Sequence, residues 1–213
     1  NTRNAKPPET LAPAGGEGKG EGPNSPSPHD GERARVRGHM PDQPAPITPS
    51  AAAQLLRATA AAITAELTAL PPAALAWHPA PGEWCANEVM GHLIEAEQRG
   101  FAGRIRIILD GDNPPLAVWD QAQVARDRRD CERDAAQLLA ELAALREASV
   151  TLVVGLKDGD LQRGGHHPKV GFLRVQDLLH EWIHHDRNHL KQILTNVQAF
   201  VWPHMGTTQR FSG

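Results

Sequence analysis

The chain has 213 residues, and 22 Lys plus Arg stand against 25 Asp plus Glu for a formal charge of −3. That length allows one domain or two, and so even a balance offers no attraction for a polyanion such as a nucleic-acid backbone. No stretch approaches the roughly 18 apolar residues of a membrane span, and no secretory leader pattern is visible. Two cysteines, Cys85 and Cys131, are too few for a disulfide scaffold, so a reducing, cytoplasmic setting is expected. Six of the eleven histidines fall between His166 and His189, and that clustering directs the search for chemistry.

Residues 1–46 hold nine of the eighteen prolines and seven of the nineteen glycines. Such a segment has too little apolar surface to offset the entropy of ordering, so it reads as a disordered tail. Met40-Pro41-Asp42-Gln43 resembles a natural start, which would make the residues before it an over-extended reading frame. From residue 47 to 205 the texture becomes alanine- and leucine-rich with helical periodicity, and residues 206–213 read as a short tail.

The first helical pattern follows Thr48-Pro49, a good cap and first-turn pair, and stops at Pro71-Pro72. Its apolar positions Leu56, Ile63, Leu67 and Leu70 share one face. A second pattern covers about 86–109, a third about 130–156, and a fourth about 175–200 before Pro203. No alternating strand pattern stands out. Four helices of this length predict an all-α four-helix bundle.

The fourth pattern interleaves two His pairs at i, i+4: His180 with His184, and His185 with His189. Residues four apart share a helical face, so either pair suits a shared metal. At about 100° per residue, Val175, Leu178, Leu179, Trp182, Ile193 and Val197 form an apolar arc that includes His185 and His189. His180 and His184 face the other way. His180-Glu181-Trp182-Ile183-His184 also spells the zincin protease pattern. No glutamate follows Glu181 to serve as the third ligand, and Arg187 and Leu190 stand where the extended motif needs Gly and His. The protease reading is therefore the weaker one. In the second pattern His92 lies at a margin of the apolar arc, beside the small residues Ala96, Gly100 and Gly103. It is either an edge histidine in water or a ligand facing a cavity.

These segments together resemble the DinB/YfiT-like metalloenzyme superfamily. The resemblance rests on Gly91-His92-Leu93-Ile94-Glu95-Ala96-Glu97, on Leu178-Leu179-His180, and on His185-Asp186-Arg187-Asn188-His189-Leu190, with Gly164-Gly165-His166-His167-Pro168 ahead of the last helix. It spans about residues 50–200 and implies an up-down-down-up bundle. It further implies a divalent metal held by His92, His185 and His189, and homodimerisation. Relatives known for thiol S-transfer with bacillithiol, mycothiol or glutathione, and for metal-dependent hydrolysis, imply a small-molecule substrate.

Three neutral imidazoles suit Zn, Ni, Fe or Mn and leave positions open, the arrangement of catalytic rather than structural sites. There a water or a thiol can become a nucleophile. Asp186 and Glu97 are candidates to orient the ligands, although Arg104 shares a stripe with Glu97 and is its favoured partner. Trp84 and Trp182 read as core or cavity-lining residues, and His167 as a loop residue placed to meet substrate. Cys85 shares the stripe of His92 but lies about 10 Å along the axis, too far to share an ion. The alternative to an enzyme is a non-catalytic, stress-related metal-binding bundle.

Overall fold

The computed structural model describes residues 44–212. Most of the expected tail, with the start at Met40, lies outside the described residues.

The first long helix, α1 (Pro49–Ala69), opens where Thr48 Oγ1 accepts the Ala51 N–H at 3.2 Å. It ends at Leu70, next to the two prolines. A short α2 (Pro72–Leu75) leads into the second long helix. That helix is α3 (Ala86–Glu95), a π-helical turn (Ala96–Phe101) and α4 (Ala102–Asp110) in succession. The third, α6 (Ala135–Val154), is capped by Asp134, whose side chain accepts the Ala136 N–H at 2.8 Å. After α7 (Asp158–Leu161) comes the fourth, α8 (Val175–Val201), where Asp177 accepts the Arg174 N–H at 3.0 Å. The helix α1 packs on α6 and α8, and α3 packs on the same two. No helix among the described residues is long and apolar enough to cross a membrane.

Three features depart from expectation. The π turn adds one residue to a helical turn and so rotates everything after it by about 100°. Ile107, which an unbroken helix would place at the edge of the apolar arc, is 45 % exposed, while Phe101, Ile105 and Ile108 remain buried. Gly103 makes the turn feasible, since a Cβ there would stand 2.0 Å from the Gln98 carbonyl oxygen. Secondly, β1 (Gly164–His167) and β2 (Gly171–Arg174) form an antiparallel hairpin where no strand was predicted. Its first strand reads Gly-Gly-His-His, with no apolar alternation to betray it. The loop before α5 (Gln121–Arg128) runs along it, with the Leu116 N–H donating to the His166 carbonyl at 2.8 Å. Thirdly, Cys85 and Cys131, expected to stay reduced, are joined as a disulfide with Cα atoms 6.5 Å apart. A separation of 46 residues concealed the pairing.

The core falls into two apolar clusters. One gathers Leu56, Ile105, Val150, Leu179 and Trp182, and the other Ile63, Met90, Leu93, Leu138 and Ile193. Between them along the helices lie buried polar residues, among them Thr59, Arg146, Asp186 and His189. A further buried carboxylate, Asp130 in the 3-10 turn Asp130–Glu132, is held by Arg128 at 2.7 Å and Arg133 at 3.0 Å.

Gly91 accommodates that carboxylate, for a Cβ at this position would stand 1.7 Å from Asp130 Oδ2. Two arginines fix Asp130, so it cannot swing aside cheaply. Gly91→Ala is expected to lower stability by about 2 kcal/mol through overpacking, measured as a shift in the urea unfolding midpoint.

Candidate metal centre

His92 sits two turns into α3, and His185 and His189 are one turn apart on α8. Packing of α3 against α8 brings the three rings together, with centroids 4.4 to 5.0 Å apart. Nε2 of His92 and Nε2 of His185 are 2.9 Å apart. Each residue offers one ring nitrogen to a set whose members all lie within 4.8 Å of one another. Nitrogens that share one divalent ion stand about 3 to 3.5 Å apart, so small ring movements suit this set to such an ion.

The electrostatics favour ligation too. Burial, then the neighbouring His189 and His185, pushes His92 well below the ordinary imidazole range. Burial, then His185, pushes His189 down to about 4, although its bond to Gln192 works the other way. Imidazoles so placed are neutral at physiological pH and offer lone pairs, as metal ligands must. Gln192 Oε1 lies 2.9 Å from His189 Nδ1 and accepts its N–H, which leaves Nε2 bare. Gln192 was missed in the sequence. Its only signal was a position three residues after a candidate ligand.

Asp186 Oδ1 stands 3.9 Å from His185 Nδ1, a charge contact too long for a hydrogen bond. Its other oxygen accepts from Arg146 Nη1 at 2.5 Å. Burial would raise the Asp186 carboxyl, but His185 and Arg146 outweigh it and hold the group below the usual range. Glu97 touches none of the three rings. Its partner is Arg146, at 2.9 Å, and not Arg104. The π turn is the reason, since Glu97 and Arg104 share a stripe only on an uninterrupted helix. Arg104 instead donates to the Ala117 carbonyl at 3.1 Å and lies over Trp119.

A cleft of about 750 Å³ opens over the three rings. Phe101, Arg104, Trp119, His167, Val170 and Glu181 contribute to its walls. The Lys169 N–H donates to His167 Nδ1 at 3.3 Å, which puts the proton of the neutral ring on Nε2. Burial, then Arg104 and Lys169, lowers the affinity of His167 for a second proton. Trp182 is not part of the wall. It is buried in the core, stacked on Phe101 at 5.2 Å. Trp84 packs on the His92 ring at 5.1 Å, and its carbonyl accepts from Asn196. The protease-like pair is otherwise engaged. His180 donates from Nδ1 to the Gln176 carbonyl and accepts the Ile47 N–H at Nε2, while exposed His184 meets Asn188.

Fold and site together define a helical bundle with a histidine triad under an open cleft. The sequence model of the DinB superfamily matches residues 54–193, and the chain belongs to that superfamily. A candidate metal-dependent hydrolase of Oceanobacillus iheyensis is 22 % identical over 121 residues, 57 % of this chain and 69 % of that protein. A similarly named protein of Bacillus mycoides is 21 % identical over the same shares. YfiT from Bacillus subtilis, described as a candidate metal-dependent hydrolase with an unusual four-helix bundle topology, superposes with a TM-score of 0.67. It is 19 % identical, and the match covers 81 % of this chain and 95 % of that one. The likeness confirms the four-helix bundle.

Burial pushes Glu97 up to about 7 from its usual 4.5, against the pull of Arg146. The folded chain therefore holds a proton that the unfolded chain has released between those pH values. The contribution of this group is full below about pH 4.5 and is lost as pH rises through 7, a change of about 3 kcal/mol. His92 and His189 act in the opposite sense as pH falls below their unfolded value. The difference between wild type and Glu97→Gln isolates the carboxyl. Urea unfolding from pH 4.5 to 7.5 is expected to show the variant gaining on the wild type as pH rises.

Proposed function

We propose that this protein is a metal-dependent enzyme acting on a small molecule, with His92, His185 and His189 holding one divalent ion and hydrolysis as its reaction. The observation that carries the reading is a trio of converging imidazoles at the base of a cleft of about 750 Å³. A structural ion has four protein ligands, whereas three leave room for a reactant. The names of the relatives favour hydrolysis. When bound, the ion supplies Lewis acidity toward a water or thiol and positive charge for a developing anion.

The remaining work falls to the chain. Gln192 fixes the tautomer of His189, and Asp186 places negative charge beside His185. Trp84 and Phe101 pack on the rings of His92 and His185 and restrict their rotation. At the wall, His167 presents Nε2–H, able to donate to an oxygen of the substrate. Apolar Val170 and Trp119 beside Arg104 suit a substrate with an apolar body and an anionic or carbonyl end.

A second reading is transfer of a low-molecular-weight thiol, such as mycothiol, bacillithiol or glutathione, to an electrophile. The size of the cleft favours it, because that volume accommodates two reactants side by side.

Protein purified without reductant is expected to hold about one Zn, Ni, Fe or Mn ion per chain at the triad. His189→Ala is expected to lower that content at least tenfold, and His184→Ala to leave it unchanged, as read by elemental analysis. Metal retained by His189→Ala would sink the assignment. Turnover of activated esters and amides without added thiol supports hydrolysis, while turnover only with thiol and electrophile together supports transfer.

A further inference from the structure

At the start of α3, away from the histidine triad, four further metal-binding side chains converge: His78, Cys85, Glu88 and Cys131. Their ligand atoms all lie within 4.8 Å of one another. His78 belongs to the loop between α2 and α3, Cys85 caps α3, Glu88 is in its first turn, and Cys131 is in the 3-10 turn.

The hydrogen bonds around this group leave acceptors facing sulfur. His78 Nδ1 lies 2.8 Å from the Glu83 carbonyl and must donate to it, so in the neutral ring the lone pair is on Nε2. That Nε2 stands 3.3 Å from Cys131 Sγ, and the Ala76 carbonyl oxygen stands 3.5 Å from the same sulfur. In the disulfide neither sulfur has a hydrogen to give. In the dithiol one S–H can serve only one of the two acceptors. Glu88 meanwhile accepts the Cys85 N–H at 2.9 Å and lies 3.5 Å from His78 Nδ1.

A cation of the zinc class satisfies this arrangement. Two thiolates, one imidazole nitrogen and one carboxylate oxygen form a closed tetrahedral set. In such a set sulfur and nitrogen stand about 3.6 Å apart and the two sulfurs about 3.8 Å. The His78–Cys131 spacing is already close to the first value. A Cα separation of 6.5 Å lets the sulfurs part to the second by side-chain rotation. The Nδ1–H bond to a backbone carbonyl is the usual support for a ligating histidine.

We propose that Cys85, Cys131, His78 and Glu88 form a second, structural site for a zinc-class ion in the dithiol state, and that the disulfide is its metal-free alternative. Interconversion balances with a low-molecular-weight thiol. Two RSH reduce the disulfide to two cysteine thiols and leave as RSSR, and the incoming Zn²⁺ displaces both thiol protons to solvent. The metal does not change oxidation state. Either state ties the cap of α3 to the turn that carries Asp130. This inference does not depend on the triad, which contains no sulfur.

Cobalt(II) is the probe, because only bound thiolate gives sulfur-to-cobalt charge-transfer absorption. The full chain, reduced and desalted anaerobically, is expected to develop that absorption at one equivalent and to lose it when Zn²⁺ is added. The same chain oxidised with a low-molecular-weight disulfide is expected to show none. His78→Ala, which leaves both cysteines in place, is expected to weaken the absorbing site at least tenfold. Absence of the band in reduced protein, its presence in oxidised protein, or undiminished affinity in His78→Ala would each overturn the proposal. Failure of the triad would not alter this band, so the two assignments fall separately.

Discussion

A single guanidinium, that of Arg146 on α6, touches each of the other three long helices. It donates to the Leu56 carbonyl of α1 at 3.3 Å, pairs with Glu97 in the π turn, and pairs with Asp186 of α8. It also lies over the Trp182 ring, with 5.6 Å to the centroid. One positive charge cannot neutralise two buried carboxylates. The outcome is uneven: Asp186 stays below its ordinary range, while Glu97 rises to about 7. A buried triad of this kind contributes little net stability, since desolvation offsets its attraction. What it fixes is orientation. Asp186 can meet Arg146 in only one rotational setting of α8, and that setting turns its neighbour His185, and His189 one turn on, toward His92.

The same constraint governs the chemistry available to the rings. Desolvation keeps His92 and His189 neutral, yet Asp186 supplies negative charge close to His185. A divalent cation in such surroundings gains from the carboxylate and need not displace protons from two of its ligands. The triad is thus placed at the boundary between a buried ion layer and an open cleft.

Helical phase made much of this legible. The inward rotation of His185 and His189 follows from counting at 100° per residue, because α8 runs unbroken from Val175 to Val201. The count fails on the second helix, where the π turn shifts phase after Glu95 and separates Glu97 from Arg104. Gly103 was the trace of that turn, but a small residue on a helix has several explanations. Arg146 could have been noticed as a charge four residues beyond Leu142 on a leucine stripe. Its partners could not, since they lie on other helices 40 and 49 residues away. The hairpin and α5 were opaque for a different reason. Neither has an apolar period, and α5 buries no residue at all.

The molecule divides its tasks between parts of different rigidity. The helix bearing His92 is fixed repeatedly: Cys85 ties its cap to Cys131, Asp130 fills the space left by Gly91, and the π turn follows one turn after His92. The opposite wall of the cleft is made of exposed, short elements, with His167 and Val170 from the hairpin and Trp119 from the loop before α5. Segments of that kind accept substitution and insertion more readily than packed helices. Changes there leave the ion layer, and with it the placement of the imidazoles, undisturbed.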